Sequence, residues 1–397
     1  MSSLSRKEFI ILMAALMSLT ALSIDAVLPA FSLMKNDLSI QSENHVQFIV
    51  SFLFAGLMMG QLVFGPVADS YGRKKGILIG LAIFVIGSLI SLFSGSFAVM
   101  LMGRLLQGFG AAAARVISVA VIRDLYSGRD MAQIMSFIMT VFIFVPMLAP
   151  AVGEGIMVLS NWRMIFAFYL VFSILSIIWV YKRLEETLPP NQKKRLSVRN
   201  VLNDFSHVIK NKVTMGYTVI SGLIFSGFLA YLSSAQQIFQ DFFHTGQLFS
   251  LYFGISAFSI GLASLVNGLI VKRFGIKRIC TIALIGVVLF STSFMLIFDP
   301  TDAQNFTPYM VTTFSIFFCY GLLFGNINTL AMEPMAKQAG TASAVIGSVS
   351  TAIAIMIGGI IGQSFNMSLG PLMAGFLCLS LISLILHIVI QKTSKPE

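Results

Sequence analysis

Gly65-Pro-Val-Ala-Asp69-Ser-Tyr-Gly72-Arg73-Lys74-Lys75 is answered 203 residues later by Gly268-Leu-Ile-Val-Lys272-Arg-Phe-Gly275-Ile-Lys277-Arg278. The glycines at 65 and 268 coincide, as do those at 72 and 275. Lys74 matches Lys277, Lys75 matches Arg278, and Asp69 is replaced by Lys272. Each copy is a short basic loop between two long apolar runs. A loop repeated at this distance, with the same flanks, is the mark of a chain built twice from one helical unit.

Outward from these loops the chain is almost wholly apolar. AVILMFWYC residues make up 57% of its 397 residues, only 11% are charged, and the mean hydropathy is +0.89. Soluble domains carry about 25% charged residues, so a soluble fold, disorder and a nucleic-acid binder are excluded. The net charge of +10 then reports membrane orientation. Cys280, Cys319 and Cys378 lack ligand spacing, so no metal and no disulfide framework is expected. About 20 apolar residues cross a bilayer as a helix. Spans read at 9–33, 46–68, 77–95, 97–122, 131–155, 164–181, 213–236, 248–271, 279–298, 308–332, 341–364 and 371–391. The runs are too long for barrel strands. The expected architecture is an all-α membrane protein of twelve transmembrane helices in two pseudo-symmetric six-helix bundles. The bundles are 1–181 and 213–397, joined by a linker at 182–212.

Under this assignment 22 of 26 Lys and Arg residues lie on the side of the termini and the linker. Lys35 and Arg163 lie opposite, and Arg104 and Arg115 fall within a span. The positive-inside rule places both termini in the cytoplasm, and the cell inner membrane is the expected location. The linker's Arg183, Lys193, Lys194 and Arg195 either meet anionic membrane lipid or a partner, or form a solvated loop.

Several motifs together resemble the major facilitator superfamily. The 65–76 loop is similar to the superfamily motif after its second helix, and Arg104-Leu-Leu-Gln107-Gly108-Phe-Gly110 to its fourth-helix motif. Pro146, Pro150 and Gly153 resemble the fifth-helix signature of its antiporters. More narrowly, IRDLY at 122–126, LAPAVG at 148–153, NWRMIF at 161–166, EETLPP at 185–190 and AGTASAVIG at 339–347 resemble the bicyclomycin-resistance type of drug:proton antiporter. The resemblance implies two parallel six-helix repeats and efflux of a small-molecule substrate against inward-moving protons. It implies a conformational gate of Gly65, Asp69, Gly72 and Arg73 against the helix starting near Thr341. There the dipole and free N–H groups of the helix N-terminus favour a carboxylate. The proton gradient replaces any cofactor, and the protein is expected as a monomer. One departure is Glu154, where the signature carries a second glycine.

Charged side chains inside spans cost several kcal/mol each and default to functional hypotheses. Asp25 and Arg104 lie about nine and about seven residues from the outer ends of their spans, so at 1.5 Å per residue they share a depth. A pair between them would lower the desolvation of both, and a substrate drawing Arg104 away would let Asp25 take a proton. Asp25, Arg104 and Glu154 are therefore the proton-coupling candidates; Glu154 is alternatively a hydrated residue at a helix end. Arg115 follows Arg104 by eleven residues, about three turns, and so shares its face with Gly108 and Ala111 between them. That stripe is either a small, cationic cavity wall, or Arg115 snorkels to headgroups. Substrate-cavity candidates are Asp25, Arg104, Arg115, Tyr231, Ser234, Gln236, Asn326 and Asn328; the last five serve alternatively as glue between helices. Glu333 reads as interfacial, and His45, His207, His244 and His387 read as loop or span-end residues.

Other function classes stay in view. A dedicated exporter of an endogenous metabolite or siderophore would share this scaffold. An uncoupled facilitator or receptor would lack a titratable group whose loss uncouples flux. An intramembrane enzyme would need Ser with Lys or His, or two aspartates at one depth, and neither is present.

Overall fold

The structure is a computed structural model and describes residues 4–189, 191, 193 and 205–393. Lys194 and Arg195 of the linker lie outside the described residues. The regular elements among the described residues are all helices. The first unit holds α1 (Arg6–Asp25), α2 (Phe31–Asp37), α3 (Phe48–Tyr71), α4 (Arg73–Leu92), α5 (Phe97–Leu125), α6 (Gly128–Leu159) and α7 (Arg163–Arg183). The second holds α8 (Lys212–Gln236), α9 (Phe249–Phe274), α10 (Ile276–Ile297), α11 (Phe306–Met332), α12 (Ala339–Ile353), α13 (Gly359–Gln363) and α14 (Gly370–Thr393). The chain divides into two compact units, Met1–Asn203 and Asp204–Glu397.

Eleven helical segments among the described residues are long and apolar enough to cross a membrane. The twelfth span is α6, continuous over 32 residues and apolar from Phe144 to Leu159. The protein is a twelve-helix, multi-pass membrane protein, as the apolar runs predict. The helices overrun most of the predicted spans, because caps and polar first turns extend them past the apolar runs. Ser5 accepts from the Glu8 N–H at the start of α1, Ser96 from Val99 in α5 and Asn211 from Thr214 in α8.

The repeated loops are one-residue turns. Gly72 alone separates α3 from α4, with φ +108°, and Gly275 alone separates α9 from α10, with φ +77°. Only glycine takes such angles without a Cβ penalty, which explains why these two glycines recur.

Within the first unit α5 packs backbone to backbone against α3 and α4. A Cβ on Gly108 would overlap the Leu53 carbonyl, and one on Gly60 would lie 2.6 Å from the Phe109 oxygen. Without water, close backbone approach through small residues is the main route to helix association. The stripe from Arg104 to Arg115 is thereby corrected. Gly108 is pressed onto α3 and Ala111 is wholly buried, so between the arginines the stripe is a packing seam and not a cavity wall.

The second unit relies on aromatic rings. Tyr231 of α8 stands edge-on to Phe317 of α11 at 4.6 Å between centroids, and stacks with Phe253 of α9 at 6.0 Å. Span 11 contains a π-helical stretch, Ala354–Gly358, between α12 and α13. The Ser226 hydroxyl of α8 donates to the Ile353 carbonyl at 3.3 Å, just before that stretch. A neighbouring hydroxyl thus satisfies backbone at a helix irregularity.

Candidate functional site

The first span is not one helix. α1 ends at Asp25, a turn follows, and Leu28–Ala30 forms a short 3-10 turn before α2. Pro29 causes this. It has no N–H to return to the carbonyl of Asp25, four residues earlier, and its ring disfavours a continued α-helix. The break lies inside the protein: Asp25 is 4% exposed, and Ala26, Val27 and Leu28 are wholly buried. Backbone left open at membrane depth needs partners from elsewhere.

Arg104 supplies one at the Ser23 carbonyl, and Tyr169 adds a second donor at the Leu22 carbonyl, which also accepts from the Ala26 N–H at 3.1 Å. The Arg104 guanidinium, fully buried, donates through Nη2 to the Ser23 carbonyl at 2.7 Å and through Nε to the Ile49 carbonyl at 3.1 Å. Nη1 donates to Gln107 Oε1 at 2.9 Å, and Gln107 Nε2 donates to Ser88 Oγ at 2.9 Å. The Tyr169 hydroxyl donates to the Leu22 carbonyl at 2.9 Å. Phe166 lies under the guanidinium, 5.9 Å from its carbon. A cation at a helix C-terminus complements the helix dipole, and here it does so at a buried, broken end.

The predicted Asp25–Arg104 pair is not made. All three guanidinium nitrogens are committed to carbonyl and amide oxygens, and none of the ion pairs among the described residues joins Arg104 to Asp25. The two charges share one region, as their depth predicts, but Arg104 holds the backbone of α1, and the carboxyl of Asp25 has no basic partner among the described residues. The site therefore carries a buried acid whose charge is not tied to an arginine.

α6 closes on this break. A Cβ on Gly153 would overlap the carbonyl oxygen of Ala26, the residue after Asp25. Pro150 is buried and Pro146 half-buried, and α6 stays helical through both. Glu154, one residue past Gly153, is half-buried. Arg115 is exposed.

A second cluster surrounds the 65–76 loop. The Arg73 side chain meets Asp69 through Nη1, and Asp124 of α5 through Nε at 2.9 Å. The Arg73 backbone N–H donates to Glu186 Oε1 at 2.7 Å, and the same oxygen accepts from Leu188 N at 3.1 Å. A Cβ on Gly72 would strike the Glu186 carboxylate, whereas one on Gly65 would meet nothing. Glu186 thus caps α4 from the chain segment after α7, a partner no local pattern signals. Thr341 lies half-buried near the start of α12. Glu186→Ala is expected to lower stability by about 1 kcal/mol, the usual cost of a lost cap, while Glu186→Gln, which keeps an acceptor oxygen, loses less. Thermal unfolding of the purified protein reads the order; equal stability of Glu186→Ala and the unmodified chain contradicts it.

The remaining candidates separate. Tyr231, Ser234, Gln236 and Asn326 are buried, and Asn328 is exposed. Ser234 Oγ donates to the Ala230 carbonyl at 2.7 Å within its own helix. Gln236 Nε2 donates to Gln240 Oε1 and Asp241 Oδ1, both at 3.2 Å. Asn326 exchanges amide hydrogen bonds with Asn267 of α9 at 2.7 and 3.3 Å. That makes Asn326 an interhelical clasp, and Asn267, a second asparagine in an apolar span, is the residue that sequence reading missed. His387 lies near the end of its span, as expected, and is wholly buried there, with Nε2 3.1 Å from the Lys277 carbonyl and its ring edge-on to Tyr217 at 5.8 Å. His45, His207 and His244 are exposed.

Similarity to known proteins agrees with the architecture. The Major Facilitator Superfamily profile matches residues 12–359. An MFS-type transporter of Bacillus subtilis, YdgK, is 32% identical over 361 residues, covering 88% of this chain and 87% of its own. The bicyclomycin resistance protein homolog of Haemophilus influenzae is 27% identical over 359 residues, 89% of each chain. The multidrug resistance protein MdtL of Escherichia coli is 27% identical over 390 residues, 96% of this chain and 94% of that one. Among solved structures, the xylose transporter XylE of E. coli matches with a TM-score of 0.73 at 15% identity, over 98% of this chain and 99% of that one. The human organic anion transporter MFSD10 matches with a TM-score of 0.64 at 18% identity, over 96% and 98%. Twelve spans, a loop repeated in each unit and a profile that matches most of the chain make this protein a member of the Major Facilitator Superfamily of membrane transporters.

Proposed function

We propose that the protein exports small amphipathic compounds in exchange for protons, and that Asp25 carries the coupling proton. The observation that bears this reading is a buried carboxyl at the broken end of α1, beside an arginine committed to other atoms. Protonation changes the charge of the break by a full unit while the Leu22 and Ser23 carbonyls stay held by Tyr169 and Arg104. In a low-dielectric interior such a change acts on neighbouring charges far more strongly than in water, and broken helices at mid-membrane are where transporters place ion and substrate sites. Relatives named for bicyclomycin and multidrug resistance support a drug-like substrate.

In this proposal Arg104 positions the break, Glu154 is the reserve protonation site, and Asp69, Gly72, Arg73 and Thr341 govern opening toward the cytoplasm. The protein works as a monomer in the cytoplasmic membrane with both termini inside, and the proton gradient is its energy source. Purified protein in proteoliposomes, screened with drug-like cations and neutral amphiphiles under an imposed pH gradient, tests it. Uphill movement that collapses with a protonophore supports the exchange. Transport of every substrate found at the same rate with and without the gradient removes proton coupling and favours a facilitator.

A further inference from the structure

The two repeated loops differ in how their charge is balanced. Around Gly72, the first turn of α4 receives the Glu186 carboxylate, and Arg73 is paired with Asp69 and Asp124. Around Gly275 no carboxylate among the described residues stands in that place. A Cβ on Gly275 would meet nothing within 4 Å, where its counterpart on Gly72 would strike Glu186. Lys272 and Arg273 end α9, Lys277 and Arg278 fall in the first turn of α10, and all four are exposed. None of them belongs to an ion pair among the described residues.

Two of these cations converge on one ring. The Arg273 guanidinium lies 5.4 Å and the Arg278 guanidinium 6.0 Å from the centroid of Phe274, which is itself 42% exposed. Like charges gathered on a single ring repel. Lys277 and Arg278 also oppose the dipole at the start of α10, which has no acidic residue in its first turn and no side-chain cap. An anion between the two helix ends would relieve both costs.

We propose that this loop binds the phosphate headgroup of an anionic membrane phospholipid, in the position that Glu186 takes in the first unit. A lipid fits better than a soluble anion because the patch ends two membrane-spanning helices. Their apolar side chains Leu265, Leu269 and Ile282 are 66%, 82% and 57% exposed, available to acyl chains, and the exposed ring of Phe274 continues that apolar surface up to the basic loop. The charge asymmetry of the sequence assigns this end to the cytoplasm, where anionic lipid attracts basic segments. Replacement of Asp69 by Lys272 in the second copy of the loop thereby converts an internally neutralised turn into a lipid-binding one.

The test is native mass spectrometry of the full chain in detergent, titrated with cardiolipin and, separately, with phosphatidylcholine. The unmodified protein is expected to prefer cardiolipin. The variant with Lys272→Gln, Arg273→Gln, Lys277→Gln and Arg278→Gln is expected to lose at least about tenfold in cardiolipin affinity, since each basic residue near an anionic surface is worth roughly a factor of five. A control with Lys7→Gln, Lys182→Gln, Lys210→Gln and Lys212→Gln removes the same charge elsewhere and is expected to keep its affinity. The variant with Arg273→Lys and Arg278→Lys keeps the charge and is expected to keep most of the binding. Equal loss in the control, equal loss in the lysine variant, or no loss in the glutamine variant overturns the proposal. So does displacement of cardiolipin by an equal concentration of glycerophosphate, which would make the ligand a soluble anion.

Discussion

Asp25→Asn is expected to stop gradient-driven export while leaving substrate binding in place. The amide is nearly isosteric with the acid but neither takes nor releases a proton. At a position 4% exposed its shape preserves the packing of the break. Arg104 and Tyr169 continue to hold the Ser23 and Leu22 carbonyls, because neither depends on the Asp25 side chain, so the variant is expected to fold. Binding measured across pH is expected to lose its dependence, uphill export in proteoliposomes to fall to that of protein-free vesicles, and downhill exchange to persist. Full pH-driven export by Asp25→Asn would move the proton site elsewhere, with Glu154, half-buried beside Gly153, next to be tested.

The second large effect is expected at Gly153. Any Cβ there overlaps the Ala26 carbonyl oxygen, a backbone atom at the floor of the break that no side-chain rotation can clear. Gly153→Val must push α6 away from α1 or distort the turn that carries Asp25. Overpacking of this kind costs about 1–3 kcal/mol. Because the displaced atoms adjoin Asp25, transport is expected to fall much further than stability. Gly155→Val, two residues along the same helix, is the control: a Cβ there meets nothing within 4 Å. Thermal unfolding and uptake on both variants separate the two. Gly155→Val behaving as badly as Gly153→Val would show that the whole helix face, not the contact at Ala26, is sensitive.

Asp25 and Arg104 were legible because a charge is conspicuous in an apolar run, and their common depth follows from helical rise alone. What Arg104 binds was not legible. Its partners are the carbonyls of Ser23 and Ile49 and the amide of Gln107. Every residue carries a backbone carbonyl, so nothing in a sequence marks the one that a break has made available. Pro29 was visible four residues beyond Asp25, yet a proline in an apolar span predicts a bend as readily as an interruption.

Glu186 shows the same limit at a longer range. It lies far along the chain from Gly72 and touches it only because α7 returns the chain to the start of α4. Asn326 stood out as a polar residue in apolar surroundings and Asn267 did not, and their pairing depends on which faces of α9 and α11 meet. His387 lies near a polar chain end, and only the packing of α8, α10 and α14 buries it.

The sequence by itself determined the number of spans, the division into two repeated sets, and the recurrence of glycine at 72 and 275 in the repeated loops. Each of these rests on local physics: the length of an apolar run against the thickness of a bilayer, the alternation of charged loops, and the backbone angles only glycine tolerates. Tertiary structure alone decided which atoms each buried charge meets. In the absence of water a buried donor takes the nearest acceptor that packing presents. For Arg104 that acceptor is the opened backbone of α1 rather than the carboxylate next to it in the same break.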